Sequence, residues 1–152
     1  GWSVSVKRLQ ASATRRSLRM AEAGLPLVAT HSNAFALGRN ARNLTDDQLR
    51  AIAQSGGMAG LNFATVFLSD AGWQTGKAGL DDCLRQLDHM IDVAGEDHIG
   101  LGSDFDGSVA TAFDTSELPA LTDALLRKGL SETQIAKVMG GNMLRVFQAR
   151  LQ

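Results

Sequence analysis

The sequence predicts an α/β domain built on a parallel sheet, and three observations carry that prediction. Short apolar runs that end in polar loops occur three times, at 25–31, 58–64 and 99–101. Helical stretches separate these runs, so strand, loop and helix alternate, and further helices follow the third strand. Strands spaced by helices pair in parallel and carry their functional loops at the strand C-terminal ends. Finally, 152 residues with 44% hydrophobic and 20% charged content suit one soluble, globular domain able to bury a sizeable core.

Residues 1–8 read as a short strand or a ragged leader. A helical pattern covers 12–23, where Leu18, Ala21 and Glu22 lie in a window rich in Arg and Ala, and Gly24 is its natural C′ residue. The run 25–31 reads as a buried strand, its proline tolerated near the start. A polar loop, 32–43, leads to Thr45, an N-cap with Gln48 three residues on, which makes a capping box. The helix it opens runs through Leu49, Ile52 and Ala53 and ends at Ser55-Gly56-Gly57. A second strand at 58–64 is followed by a loop, 65–79. The clearest amphipathic helix is 80–94, where Leu80, Leu84, Leu87, Met90, Ile91 and Ala94 recur at helical spacing and Gly95 stops it.

The third strand, 99–101, opens onto a loop from 104 to 115. Ser116-Glu-Leu-Pro-Ala then leads into a helix through Leu121, Leu125 and Leu126, closed by Gly129. Ser131 with Gln134 forms another capping box, ahead of Ile135, Val138 and Met139. Gly140-Gly141 punctuates the chain before a last helix, 142–151, whose expected inward set is Leu144, Phe147 and Leu151.

Composition narrows the function classes. A formal net charge of −1 gives no electrostatic case for nucleic acid or an anionic membrane. The cluster Lys7, Arg8, Arg15, Arg16 and Arg19 against Glu22 reads as a solvated helix face. The single cysteine, Cys83, excludes an internal disulfide framework, leans the compartment toward the cytoplasm, and reads as a small core residue. No run approaches the roughly 18 apolar residues of a membrane span, and the start lacks the apolar centre of a signal peptide.

The stretch His98-Ile-Gly-Leu-Gly-Ser-Asp-Phe-Asp-Gly107 concentrates the chemistry. A buried strand that delivers Asp104 and Asp106 to a loop would put both on one face if the backbone stayed extended. Gly100, Gly102 and Gly107 would keep the backbone slim where a ligand approaches. The alternative is a strand followed by a turn supplied by Asp106-Gly107. Of the three histidines, His89 on its amphipathic helix and His98 before its strand read as structural. His31 ends a strand before a polar loop, which suits a metal ligand or a general base as well as a structural role. Arg39 and Arg42 in that loop could hold a carboxylate, against the plainer reading of solvated loop arginines. Asn33 and Asn62 could orient a site or satisfy loop backbone. No Gly-rich phosphate loop, CxxC, HExxH or GxSxG is present, while imidazole with carboxylate leaves metal-assisted hydrolysis open.

Five ordered blocks carry a family resemblance: Pro26-Leu-Val-Ala-Thr-His-Ser-Asn33, Arg42-Asn-Leu-Thr-Asp-Asp-Gln-Leu49, Leu87-Asp-His-Met90, Ile99-Gly-Leu-Gly-Ser-Asp-Phe-Asp-Gly107 and Gly140-Gly-Asn-Met-Leu-Arg-Val-Phe147. Together, over residues 12–150, they resemble the membrane dipeptidase (renal dipeptidase, peptidase M19) family. The resemblance implies a (β/α)8 barrel with two zinc ions that cleaves dipeptides. By position, His31 matches a zinc-ligand histidine, Arg42 the arginine that holds the substrate's terminal carboxylate, and Asp104 the acid that handles the proton of the attacking water. Two zincs sharing a hydroxide would make a nucleophile at neutral pH, with a nearby carboxylate to carry its proton to the leaving amine.

The chain also departs from that pattern. The family takes its first ligands from a His-x-Asp and a bridging glutamate, and neither has a counterpart here: Ser32-Asn33, Met90-Ile91 and Ile99-Gly100 follow the three histidines. A further ligand histidine is due about twenty residues before His31, where the chain reads Leu9-Gln10-Ala11. The expectation is therefore the C-terminal part of such an enzyme: a partial (β/α)8 barrel of about three βα units plus terminal helices over 12–152, with 1–11 a divergent or artificial leader. Such a part would need the missing N-terminal half or another copy of itself, since a partial barrel has open strand edges. Two functions remain: part of a zinc dipeptidase, or a non-catalytic remnant or interaction domain on the same half-barrel.

Overall fold

The computed structural model describes residues 26–149. The expectations for 1–8, the helix at 12–23 and the inward role of Leu151 lie outside the described residues. Within them the chain forms β1 (Val28–Ala29), α1 (Asp46–Gln54), β2 (Met58–Leu61), α2 (Thr65–Leu68), α3 (Asp70–Thr75), α4 (Leu80–Ala94), β3 (Ile99–Leu101), α5 (Leu118–Arg127), α6 (Glu132–Ala136) and α7 (Asn142–Gln148). The three strands make one parallel sheet in the order β1-β2-β3. Val28 pairs with Met58, and Gly60 pairs with Gly100. An α/β fold on a parallel sheet is thus what the alternation of apolar runs and helices dictates.

β2 is buried along its whole length, as befits a central strand that carries no polar side chain. Its ladder to β1 extends past the short paired segment through Met58 N to Leu27 O (3.0 Å) and Ser32 N to Gly60 O (2.8 Å). The capping box at Thr45 forms in both directions: Thr45 N donates to Gln48 Oε1 (2.8 Å) and Gln48 N to Thr45 Oγ1 (3.3 Å). Losing such a cap costs about 1 kcal/mol. At α4, Asp82 Oδ2 accepts from Gly79 N, and Gly95, at φ 85°, ends the helix. Leu49 and Ile52 of α1 and Leu87 and Met90 of α4 share one core with Ala59, Leu61 and Ile99 of the sheet.

The glycines of the sheet serve a close approach of the chain to itself. A Cβ on Gly102 would sit 1.9 Å from Thr30 O, and one on Gly60 would sit 2.2 Å from the same oxygen. The sheet therefore curls until the C-terminal ends of β1 and β3 meet beside β2. The slimness expected to admit a ligand is used up here by backbone, and at Gly100 by the Met58 methyl group, 2.5 Å from where a Cβ would lie.

Three other expectations change. Residues 65–79 are not simply a loop. Ser69 accepts from Gly72 N (3.0 Å) to cap α3, Leu68 is buried, and Gly76 at φ 70° ends the turn, all within pieces too short to show amphipathic spacing. The second run is a regular strand only to Leu61 rather than 64: beyond it Asn62 N turns to the Asn33 side chain (2.8 Å), while Phe63 N still reaches Ser103 O (3.2 Å) and Ala64 bridges antiparallel to Thr111. In the last helix, Leu144 and Phe147 are 63% and 56% exposed, while Asn142 and Val146 are buried. Polar anchors decide its orientation. Asn142 Nδ2 donates to Glu96 O (2.7 Å) and Ile99 O (2.8 Å), and Arg145 reaches Gly56 O (2.8 Å) and Asp97 O (2.6 Å). Gly140-Gly141 punctuates the chain as expected: Gly140, at φ 160° and ψ −20°, is non-helical and kinks the segment Lys137–Gly141 that joins α6 to α7 against β3. Ile135 and Val138 are buried as expected, and Met139 is 37% exposed.

Candidate active site

All three strands deliver polar residues to the same, C-terminal, edge of the sheet. β1 leads into Thr30, His31 and Asn33, β2 into Asn62, and β3 into Ser103 and Asp104. A cleft of about 460 Å³ at that edge is lined by Thr30, His31, Ser103, Asp104, Asp106 and Met143, among others.

His31 is half-buried and hydrogen-bonded at both ring nitrogens, to Thr30 Oγ1 at 2.7 Å through Nδ1 and to Arg42 Nη2 at 3.0 Å through Nε2. A guanidinium can only donate, so Nε2 is the acceptor and the geometry assigns the ring proton to Nδ1, pointing at Thr30. Arg42 is steadied a second way, by the Phe67 ring 5.1 Å below its guanidinium. Its loop is pinned by Asn43, whose Nδ2 donates to Gly38 O (2.7 Å) and Phe67 O (2.8 Å), and by Gln86 of α4, whose Oε1 accepts from Ala34 N (2.8 Å). Arg39, the other arginine of that loop, turns away: its backbone N–H donates to Asp70 Oδ1 at 2.7 Å. Of the two arginines, only Arg42 hydrogen-bonds to His31.

Asp104 does not continue the strand. Its φ is 66°, the left-handed region, and Gly107 N closes a turn onto its carbonyl at 3.0 Å. An extended backbone with Asp104 and Asp106 on one face is therefore not what forms, and Asp106-Gly107 supplies the turn. Gly107 leaves room for the Asp104 carboxylate in its present place, since a Cβ would lie 2.4 Å from Asp104 Oδ1 and push it aside. The other carboxylate oxygen accepts from Asn62 Nδ2 at 2.9 Å. Phe105, between the two aspartates, packs against Phe63 and Phe113 with ring centroids 5.5 and 6.5 Å apart, which roots the turn in the core.

The remaining histidines are structural, as their positions suggest. His89 on α4 meets Asp46 in the first turn of α1 at 2.8 Å, and His98 Nδ1 meets Gly57 O at 2.8 Å at the far end of the strands. His31 is thus the only imidazole at the cleft among the described residues. No group of three or more His, Cys, Asp or Glu among the described residues could hold a metal ion. One imidazole beside carboxylates does not satisfy a zinc centre, so the donors described here do not fit the two-zinc site by themselves.

Sequence reasoning passed over Thr30, Phe67, Gln86 and Phe105. The Asp-Phe-Asp-Gly alternation held the signal for Phe105, an aromatic side chain between two loop carboxylates. Gln86 was legible as a polar residue on the apolar stripe of α4.

Known proteins with similar sequence or structure cover most of the chain. The family model described as membrane dipeptidase (peptidase family M19) matches residues 4–151. A Klebsiella pneumoniae protein, described as an uncharacterized protein in the pqqA 5′ region, is 45% identical over 125 residues, which is 81% of this chain and 46% of the relative. This chain therefore spans about half the length of that relative. A metallo peptidase from Rhodobacter sphaeroides, solved with a phosphinate mimic of the dipeptide L-Ala-D-Ala, is 47% identical with a TM-score of 0.75, over 82% of this chain and 36% of that one. The probable dipeptidase PvdM from Pseudomonas aeruginosa is 26% identical with a TM-score of 0.72, over 80% of this chain and 44% of its own.

Proposed function

Because this chain belongs to the membrane dipeptidase family, peptidase M19, we propose that it supplies one part of a metal-dependent dipeptidase site. In this reading its described residues are about three βα units of a (β/α)8 barrel. The sequential order of the parallel strands supports that, as does alignment with about a third to a half of longer relatives. We treat 12–152 as part of the barrel, and the family match, which begins at residue 4, extends into the segment before it.

The roles follow from chemistry. Arg42 binds the terminal carboxylate of a dipeptide, a planar anion that suits its forked donors. A water oxygen attacks the peptide carbon, the C–N bond breaks, and Asp104 takes the proton from that water and passes it to the leaving amine. His31 would supply one ligand to a zinc ion that polarises the peptide carbonyl and activates the water, and the other ligands would come from outside the described residues, through the rest of a barrel or a second copy of the chain. The observation that carries the reading is the convergence of His31 and Asp104 in one cleft at the strand C-terminal ends, with Arg42 bonded to His31.

A second reading, a non-catalytic remnant or interaction domain on the same scaffold, is favoured by one observation: among the described residues no three donors form a metal site. Zinc-dependent hydrolysis of a simple dipeptide by the purified chain, with Asp104→Asn as control, separates the two. Activity that saturates with zinc and vanishes in the control supports the enzyme. Absence of turnover at every zinc concentration supports the remnant. The need for a partner is tested by thermal melts at several concentrations, since a cooperative, concentration-independent transition of a monomer overturns it.

A further inference from the structure

We infer that Asn62 is the positioning residue for Asp104, held in turn by Asn33. The inference rests on the proton-handling role proposed for Asp104. Asn62 is 1% exposed and sits one residue past β2. Its backbone is gripped from both sides by the fully buried Asn33, which donates from Nδ2 to Asn62 O (3.0 Å) and accepts at Oδ1 from Asn62 N (2.8 Å). The orientation of the Asn62 side-chain amide follows from its neighbours. Its oxygen accepts from Ala64 N at 2.7 Å, a contact the NH2 end cannot make, so Nδ2 faces Asp104 Oδ2 at 2.9 Å.

Asp104 needs such a holder. Its backbone is left-handed without being glycine, a conformation that persists only where surroundings over-determine it. Its carboxylate spans from the bare face of Gly107 to the Asn62 amide. The chain Asn33–Asn62–Asp104 therefore ties the ends of all three strands together and fixes the direction of one carboxylate. A residue that only satisfied the turn backbone would need its oxygen toward Ala64 and nothing at Nδ2.

The discriminating variant is Asn62→Asp, which keeps the acceptor for Ala64 N and replaces the donor facing Asp104 with a second carboxylate oxygen. Asn62→Ala serves beside it in case the paired carboxylates unfold the chain. The first readout is the side-chain amide spectrum of the ¹⁵N-labelled full chain. The Asn62 Nδ2 protons are expected to move and to exchange faster with water in Asp104→Ala, and to stay unchanged in Asp106→Ala. The second readout is zinc-dependent dipeptide hydrolysis, where both Asn62 variants are expected to lower kcat about 10–100-fold, the usual loss when a supporting hydrogen bond is removed, with KM within about two-fold. Amide protons indifferent to Asp104→Ala, or an unchanged kcat, overturn the inference. If the wild-type chain turns nothing over, the catalytic reading of the cleft fails on its own account, and the amide spectrum alone decides whether Asn62 holds Asp104.

Discussion

Gln86→Leu should destabilise the fold and loosen the Arg42 loop together. Gln86 lies on α4 with no exposed surface. Its Oε1 takes Ala34 N at 2.8 Å, and its Nε2 gives to Leu68 O at 2.8 Å. One side chain thus stitches the loop after β1 to the end of α2. Leucine fills similar space but strands a donor on Ala34 and an acceptor on Leu68, residues that are 0% and 1% exposed. Each stranded group costs about 1–3 kcal/mol, so the pair costs about 2–5 kcal/mol once some relaxation is allowed. At about 2–4 °C per kcal/mol for a chain of this length, Tm falls by about 4–20 °C. Urea unfolding followed by circular dichroism measures it, with the midpoint shifting and the slope unchanged. A loss below about 0.5 kcal/mol, the range of an ordinary surface substitution, refutes the reasoning and means that water or backbone movement replaces both bonds.

Other positions give independent checks. Gly102→Ala places a methyl group 1.9 Å from Thr30 O and 2.9 Å from His31 Cα, so β1 and β3 must separate; we expect a loss of at least about 1–3 kcal/mol in the same unfolding assay, and no loss refutes the curled sheet. Burial pushes the Cys83 thiol up to about 12; at mildly alkaline pH it should resist iodoacetamide until the chain unfolds, and rapid labelling of folded protein contradicts its burial. Lys137 hydrogen-bonds Glu96 (2.6 Å) and ion-pairs with Asp97 (2.8 Å), holding both carboxyls below their ordinary range while its own ammonium is held above. Carboxyls shifted down stabilise the fold above their unfolded values and lose that contribution as pH falls through the folded ones; the raised lysine contributes below its unfolded value and loses it only as pH climbs through the folded one. The Tm gap between wild type and Lys137→Met should therefore be full near neutrality and close in acid, and a gap independent of pH removes the pairing.

Elements with local punctuation were legible in the sequence. Thr45 with Gln48, Ser131 with Gln134, and Gly95 each carry their own hydrogen-bonding or backbone logic, and all three work as expected. The parallel pairing of the strands followed from alternation, whereas their order, β1-β2-β3, came only with the structure. Leu144 and Phe147 misled because their spacing is apolar and helical, whereas orientation was set by carbonyls that only the assembled fold presents to Asn142 and Arg145. The turn at Asp104 was hidden for a similar reason. Nothing near it in sequence shows that Asn62, 42 residues away, will meet its carboxylate. His31 and Arg42 stood out as candidates, but their direct bond depends on how Asn43, Phe67 and Gln86 fold the intervening loop.

The bond between Arg42 and His31 has a thermodynamic corollary. The Nε2 lone pair can face one partner at a time, and in this structure that partner is the guanidinium. Under the roles proposed for these two residues, an anion that drew Arg42 aside would free the imidazole for a cation, and a cation on Nε2 would free Arg42 for an anion. Free-energy coupling is reciprocal, so each ligand must tighten the other's hold by the same factor. Titrating the chain with zinc in the presence and absence of a simple carboxylate would read that factor as the ratio of two dissociation constants.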